Sequence, residues 1–159
     1  MNVVFVGGGS PRLLPILRGV FKHHPQVFTG GSARLVDLKV DKAELVGRAI
    51  MKTPEYQTIS DCQVTWSNDL EKALEGADVL YVTMAIGDPL QYSKARHACN
   101  QLGFIGSDQL SPSGAMLGLI GGATIHKFAQ LMEKQCPNAH MLIFANPVAV
   151  NSGIVNNHT

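Results

Sequence analysis

The sequence predicts an α/β fold with a doubly wound parallel sheet of about five strands. Three observations lead there. Short apolar runs alternate with segments of helical periodicity along the whole chain. The runs are apolar throughout rather than at every second position, the pattern of strands buried on both faces of a parallel sheet. Three consecutive glycines follow the first run directly, where a strand must turn sharply into a helix.

Residues 2–6 (NVVFV) form a short apolar run ending in glycine and read as a buried strand. Residues 11–23 carry Leu13, Leu14, Ile16, Leu17, Val20 and Phe21 at helical spacing. Pro11 suits the first turn, where a missing N–H is no loss. Residues 24–32 read as a loop and 33–38 as the second strand. Residues 40–52 read as a helix that ends ahead of Thr53-Pro54, because the residue before proline avoids helical backbone. Residues 62–66 alternate as a third strand, and 68–76 form a short helix with Asn68 or Asp69 as cap and Gly76 as stop. Residues 78–84 are a fourth strand, 90–102 a helix, 103–113 an irregular loop, and 114–134 a long apolar helix stopping near Cys136-Pro137. Residues 139–144 are the fifth strand, followed by Ala145-Asn146-Pro147 and the start of a last helix.

Right-handed crossovers between such strands give a Rossmann-type sheet. A complete sheet of that type has about six strands. Residues 1–159 therefore read as one dinucleotide-binding domain, incomplete, from a fragment or truncated chain. Its last helix and one sheet edge are expected to lack partners.

The composition supports a globular chain with one full core: 159 residues, 45% hydrophobic, with slightly positive mean hydropathy. Thirteen basic and twelve acidic side chains leave a net charge of +1, which gives no footprint for nucleic acid or an anionic membrane surface. No stretch approaches the roughly 20 apolar residues of a membrane span. The apolar N-terminus lacks a basic leader and runs into glycine, unlike a secretory signal. Cys62, Cys99 and Cys136 are odd in number and form no CxxC pair, so neither a disulfide scaffold nor a closed zinc site is expected. Reduced thiols in a cytoplasmic protein are the expectation.

The chemistry concentrates at the ends of the predicted strands. Gly7-Gly8-Gly9-Ser10 opens the first helix; a phosphate can approach backbone N–H groups only where no Cβ intervenes, and the helix N-terminus favours an anion. The third glycine of the usual GxGxxG pattern is replaced by Arg12. The same glycines also suit an ordinary strand-to-helix turn. Asp37 ends the second strand, where a carboxylate accepts hydrogen bonds from an adenosine ribose and repels a 2′-phosphate, favouring NAD over NADP. It stands 28 residues after Gly9 against a usual spacing of about 20, a difference the 24–32 loop absorbs. Its alternative role is to cap the next helix. Thr83-Met84-Ala85-Ile86-Gly87 ends the fourth strand, and Ala85 is the candidate contact to the nicotinamide side of such a cofactor; a plain buried strand end is the alternative. Asn146, after the fifth strand, presents an amide able to donate and accept with a sugar hydroxyl or cofactor, or to cap the last helix. The histidines have no acidic or cysteine partner at ligand spacing. Gly118, Gly121 and Gly122 suit close helix packing, and Asp108 and Ser113 lie in a loop able to reach the ligand crevice.

The series GGGS, LVDL, EGADVLYVTMAIG and PNAHMLIFANPV, in this order, resembles the N-terminal part of the family 4 glycoside hydrolases. These are NAD- and divalent-metal-dependent enzymes that include 6-phospho-glucosidases, α-galactosidases and α-glucuronidases. The resemblance implies that Gly7, Gly9 and Ser10 contact the NAD pyrophosphate, Asp37 the adenosine ribose, and Asn146 the sugar near its reacting carbons. Tyr92 and Ala95 stand where the family carries an arginine and an acid, with Lys94 and Arg96 nearby, and Ser111-Pro112-Ser113-Gly114 replaces its Gly-Pro-Gly-Gly stretch. In the family the metal-binding Cys and His and the catalytic acid and base follow the Asn-Pro segment, beyond Thr159. No catalytic residue is expected in this chain, and a divalent metal, manganese, only in the full-length protein. The implied reaction oxidises the sugar at C3, removes the acidified C2 proton, eliminates the aglycone and returns the hydride after water adds. The chain alone is expected to bind NAD weakly and not to turn over. The implied partner is a small-molecule sugar or sugar phosphate, in a homo-oligomer. Two other readings remain: the N-terminal half of a lactate/malate-type dehydrogenase, for which Arg96 is the nearest loop arginine, and a non-catalytic nucleotide-binding module.

Overall fold

A computed structural model describes residues 1–59, 61–85 and 87–158. The strands are β1 (Asn2–Val6), β2 (Ser32–Val36), β3 (Gln63–Ser67), β4 (Val79–Val82) and β5 (His140–Ile143). The helices are α1 (Leu13–His23), α2 (Val40–Met51), α3 (Pro54–Gln57), α4 (Leu70–Leu74), α5 (Pro89–Gln101), α6 (Pro112–Gln135) and α7 (Val148–His158). The sheet order is β3-β2-β1-β4-β5, with β1 parallel to β2 and β4, and β2 parallel to β3. This is the doubly wound α/β class the sequence predicts, and the order reverses between β1 and β4.

The chain gathers into two compact units, Met1–Met84 with Met132–Leu142, and Ala85–Leu131 with Ile143–Thr159. In the first, β1 is buried on both faces, which explains its unbroken apolar run. Val3 and Phe5 lie in register with Ala33, Leu35 and Val64 and pack with Leu13, Leu17 and Phe21 of α1 and Ala43, Val46 and Ile50 of α2. Leu13, Leu17 and Phe21 recur every four residues, so one stripe of α1 covers the sheet. Val4 and Val6 pair with Leu80 and Val82 on the opposite face. Arg34, on that row, ties β2 to the end of α4 by donating to the carbonyls of Ala73 and Glu75 at 2.7 and 2.6 Å.

Several boundaries differ from the sequence reading for local reasons. α1 begins at Leu13 rather than Pro11, because Pro11 and Arg12 form a turn, with Leu13 N–H on the Ser10 carbonyl, directly after the one that Ser10 N–H closes on the Gly7 carbonyl. Thr53-Pro54 ends α2 and also starts α3, with the Thr53 hydroxyl accepting from the Tyr56 N–H. The 24–32 loop contains a 3-10 turn over Pro25–Val27. Asp69, not Asn68, caps α4, and Gly76 follows with φ at +61°.

In the second unit α6 and α7 meet through glycine. A Cβ on Gly118 would lie 2.5 Å from Val150 Cγ1, and one on Gly122 would lie 2.8 Å from Ile154 Cδ1. The fully buried Asn151 donates from its amide to the Ala145 carbonyl at 2.8 Å, holding α7 to the segment after β5.

Three substitutions test this packing. Leu17, with no exposed surface, should cost about 2–5 kcal/mol when changed to alanine, read by chemical denaturation. In Gly8→Ala the added Cβ would meet backbone atoms of Leu35 and Val36 at 2.7–2.8 Å. Overpacking against main chain predicts a loss of about 1–3 kcal/mol, whereas Gly19→Ala, which meets nothing, should be neutral or stabilising in the same measurement.

Candidate functional site

The triple-glycine turn leaves β1 where the sheet order reverses. Gly7 has φ at +89°, and a Cβ there would lie 2.9 Å from the Met84 N just past β4. Gly8 runs against the end of β2. A Cβ on Gly9 would lie 2.7 Å from Lys42 Cβ and 3.0 Å from Asp37 Oδ2. Each position excludes a side chain for its own steric reason, with positive φ decisive only at Gly7.

The turn amides are bonded within the chain. Gly7 and Gly8 N–H both donate to the Val36 carbonyl at 2.9 Å, and Ser10 N–H donates to the Gly7 carbonyl at 2.9 Å. Gly9 N–H donates to Asp37 Oδ2 at 2.9 Å. Sequence reasoning offered these amides to a phosphate; the structure also uses them to hold the turn against β2. Asp37 stands one residue beyond β2, its own N–H bonded to the Ser67 carbonyl. Its Oδ1 accepts from the Lys39 N–H at 3.0 Å, an Asx turn just ahead of α2, whose N-cap Lys39 takes no side-chain cap bond; Asp37 therefore holds the turn but does not cap the helix. Each carboxylate oxygen keeps a further lone pair for a ligand hydroxyl. Gly7, Gly9, Ser10 and Asp37 are thus brought together, although 28 residues separate Gly9 from Asp37. Arg12, the residue that breaks the glycine pattern, is exposed at the entry to α1 and makes no side-chain cap bond there.

The remaining predicted residues belong to the second unit. Ala85 is exposed just beyond β4. Ile86 lies outside the described residues. Asn146 sits three residues past the end of β5, between Ala145 and a cis-bonded Pro147. Its Nδ2 donates to Asp108 Oδ2 at 2.7 Å. That bond, with a second from the Tyr92 hydroxyl, holds the Asp108 carboxyl below the ordinary carboxylate range. Burial first, then the bond to Asp108, raises the Tyr92 phenol. A cavity of about 310 Å³ is lined by Tyr92, Arg96, Gly106, Ser107 and Asp108. The sequence named Asp108 without a partner; no pattern in it announces a contact to a residue 38 positions away. Among the described residues no three His, Cys, Asp or Glu side chains converge to hold a metal ion. Among the same residues no helix is long and apolar enough to cross a membrane.

Comparison with known proteins places these features in context. The family model for family 4 glycosyl hydrolases matches residues 2–159. A 6-phospho-β-glucosidase of Escherichia coli is 25% identical over 170 aligned positions, covering 100% of this chain and 35% of that protein. The chain thus spans about a third of the length of the curated relatives it matches. Among solved structures, a 6-phospho-β-glucosidase of Thermotoga maritima with manganese, NAD+ and glucose 6-phosphate superimposes with a TM-score of 0.78 at 18% identity, covering 92% of this chain and 35% of that one. A malate dehydrogenase of Naegleria fowleri reaches 0.69 at 13% identity over 99% of this chain and 43% of that one. Both structural likenesses show the fold.

The double use of Asp37 predicts that Asp37→Ala, by stranding the Gly9 and Lys39 N–H groups, lowers stability by about 1–3 kcal/mol. Denaturation and faster exchange of the Gly9 amide are the readouts; protection unchanged at Gly9 would contradict the bond.

Proposed function

The chain belongs to the family 4 glycosyl hydrolases, and from that premise we propose that residues 1–159 are the NAD-binding portion of an NAD- and divalent-metal-dependent glycoside hydrolase. The proposed reaction is glycosidic cleavage by oxidation at the sugar C3, loss of the C2 proton and elimination of the aglycone. The substrate class is a sugar or sugar phosphate, in keeping with the glucose 6-phosphate in the Thermotoga maritima structure. The manganese in that structure supports a metal for the whole protein. A cytoplasmic setting fits three buried, free thiols.

The observation that carries the reading is the 2.9 Å contact between the Gly9 N–H and Asp37 Oδ2. It sets a carboxylate beside a turn stripped of side chains, at the entry to an eleven-residue helix. A carboxylate acceptor beside a turn without side chains fits a dinucleotide, with the ribose diol on Asp37 and the pyrophosphate lying over the bare backbone of Gly7, Gly9 and Ser10. The α1 N-terminus and the exposed Arg12 supply positive potential for the phosphates. Ala85 is the proposed contact on the nicotinamide side, and Asn146 the contact to the sugar. Bound NAD supplies a hydride acceptor; the residues of this chain bind and orient it, and Asp37 discriminates against a 2′-phosphate by charge repulsion. The dehydrogenase reading rests on shared fold alone.

Calorimetry tests this. Asp37→Asn should weaken NAD binding about tenfold and reduce the preference over NADP. Gly9→Asp should abolish binding, because the new side chain starts against Lys42 and the Asp37 carboxylate. NAD affinity unchanged in both, with native circular dichroism retained, would remove the glycine turn as the cofactor site.

A further inference from the structure

Asn146 is held by more than the turn after β5. We infer that Asp108 is a positioning residue, which fixes the side-chain amide of Asn146 so that its carbonyl oxygen is committed as the acceptor for a hydroxyl of the substrate. This inference rests on the proposed role of Asn146 as the sugar contact.

The chemistry begins with a restriction on the carboxylate. Ionised, it only accepts, so the NH2 end of the Asn146 amide must face it. The 2.7 Å contact from Asn146 Nδ2 to Asp108 Oδ2 has that polarity. The two ends of an amide are nearly isosteric, and an asparagine without a charged neighbour can present either one to a ligand. Beside Asp108 one of the two orientations is lost, and Oδ1 is turned away from the carboxylate. A neutral amide that accepts from a sugar hydroxyl leaves that oxygen's own lone pairs available for chemistry elsewhere.

The carboxylate is itself built in. Tyr92, from α5, donates its hydroxyl to Asp108, and Arg96, one turn further along α5, adds a favourable charge. The residue before Asp108 is tightly pinned: Ser107 N–H donates to Ser111 Oγ at 2.8 Å, and its carbonyl accepts from the fully buried Ser113 Oγ at 2.6 Å. Gly106 lets this loop lie against α5, since a Cβ there would fall 3.1 Å from Arg96 Cα. A carboxylate fixed on both sides, at the wall of the 310 Å³ cavity, is suited to orient a neighbour rather than to follow it.

The test uses the chain labelled for NMR, with NAD present, and glucose 6-phosphate as the probe. The Asn146 side-chain NH2 signal should move with pH as Asp108 titrates, below the usual carboxylate range, because the Asn146 and Tyr92 bonds favour the ionised form. In Asp108→Asn, which preserves shape but accepts and donates equally, that movement should vanish. Glucose 6-phosphate affinity should fall about tenfold while NAD affinity holds, and Asp108→Glu should restore part of it. An Asn146 signal indifferent to pH and to Asp108→Asn overturns the positioning role. So does sugar affinity lost in Asn146→Ala but unchanged in Asp108→Asn. If Asn146→Ala also leaves sugar affinity unchanged, or no sugar binds, while the amide signal behaves as expected, the sugar contact in the proposed function is what fails, and the inference about a substrate hydroxyl falls with it.

Discussion

Crowding at the carboxyl end of β1 governs the rest of the first unit. There the chain must turn from a central strand into α1 while β2 ends on one side and β4 on the other. Gly7 lies against Met84, Gly8 against Leu35 and Val36, and Gly9 against Lys42 and Asp37. No side chain fits at any of the three. Two of the turn amides close on one carbonyl, that of Val36, which pins the turn to β2 through groups that would otherwise be buried without partners. α1 can then lay Leu13, Leu17 and Phe21 on the sheet only because its first turn is fixed there.

Structural and proposed functional roles converge on the same atoms. Asp37 satisfies the Gly9 and Lys39 N–H groups, and the same carboxylate is the proposed partner of a ribose diol. The crevice at the reversal of strand order is the general ligand position of open α/β sheets. Here its floor is made of backbone already hydrogen-bonded, a formed surface rather than a loop to be ordered, which is what the proposed dinucleotide site requires.

Asn146 shows the same economy in the second unit. Its amide ties the segment after β5 to the loop bearing Asp108, and Asn151 ties the start of α7 to Ala145. The hydroxyls of Ser111 and Ser113 knit that loop by bonding the backbone of Ser107, its N–H to Ser111 and its carbonyl to both.

The periodicity of apolar residues by itself determined the strands, the longer helices and the doubly wound class, because burial on two faces demands unbroken runs such as NVVFV and VLYV. The glycine series and Asp37 were legible too, since steric exclusion and charge at strand ends follow from position in that fold. Family membership was readable in the same motifs. Only the tertiary structure decided where the amides of the glycine turn donate, that Asp37 holds Gly9, and that Asp108 bonds Asn146. The short helix after Thr53 also escaped the sequence, because one threonine-proline pair ends one helix and begins the next. These are contacts between residues far apart in the chain or competing locally for one cap; their geometry is set by packing of whole elements, which no spacing of residues encodes.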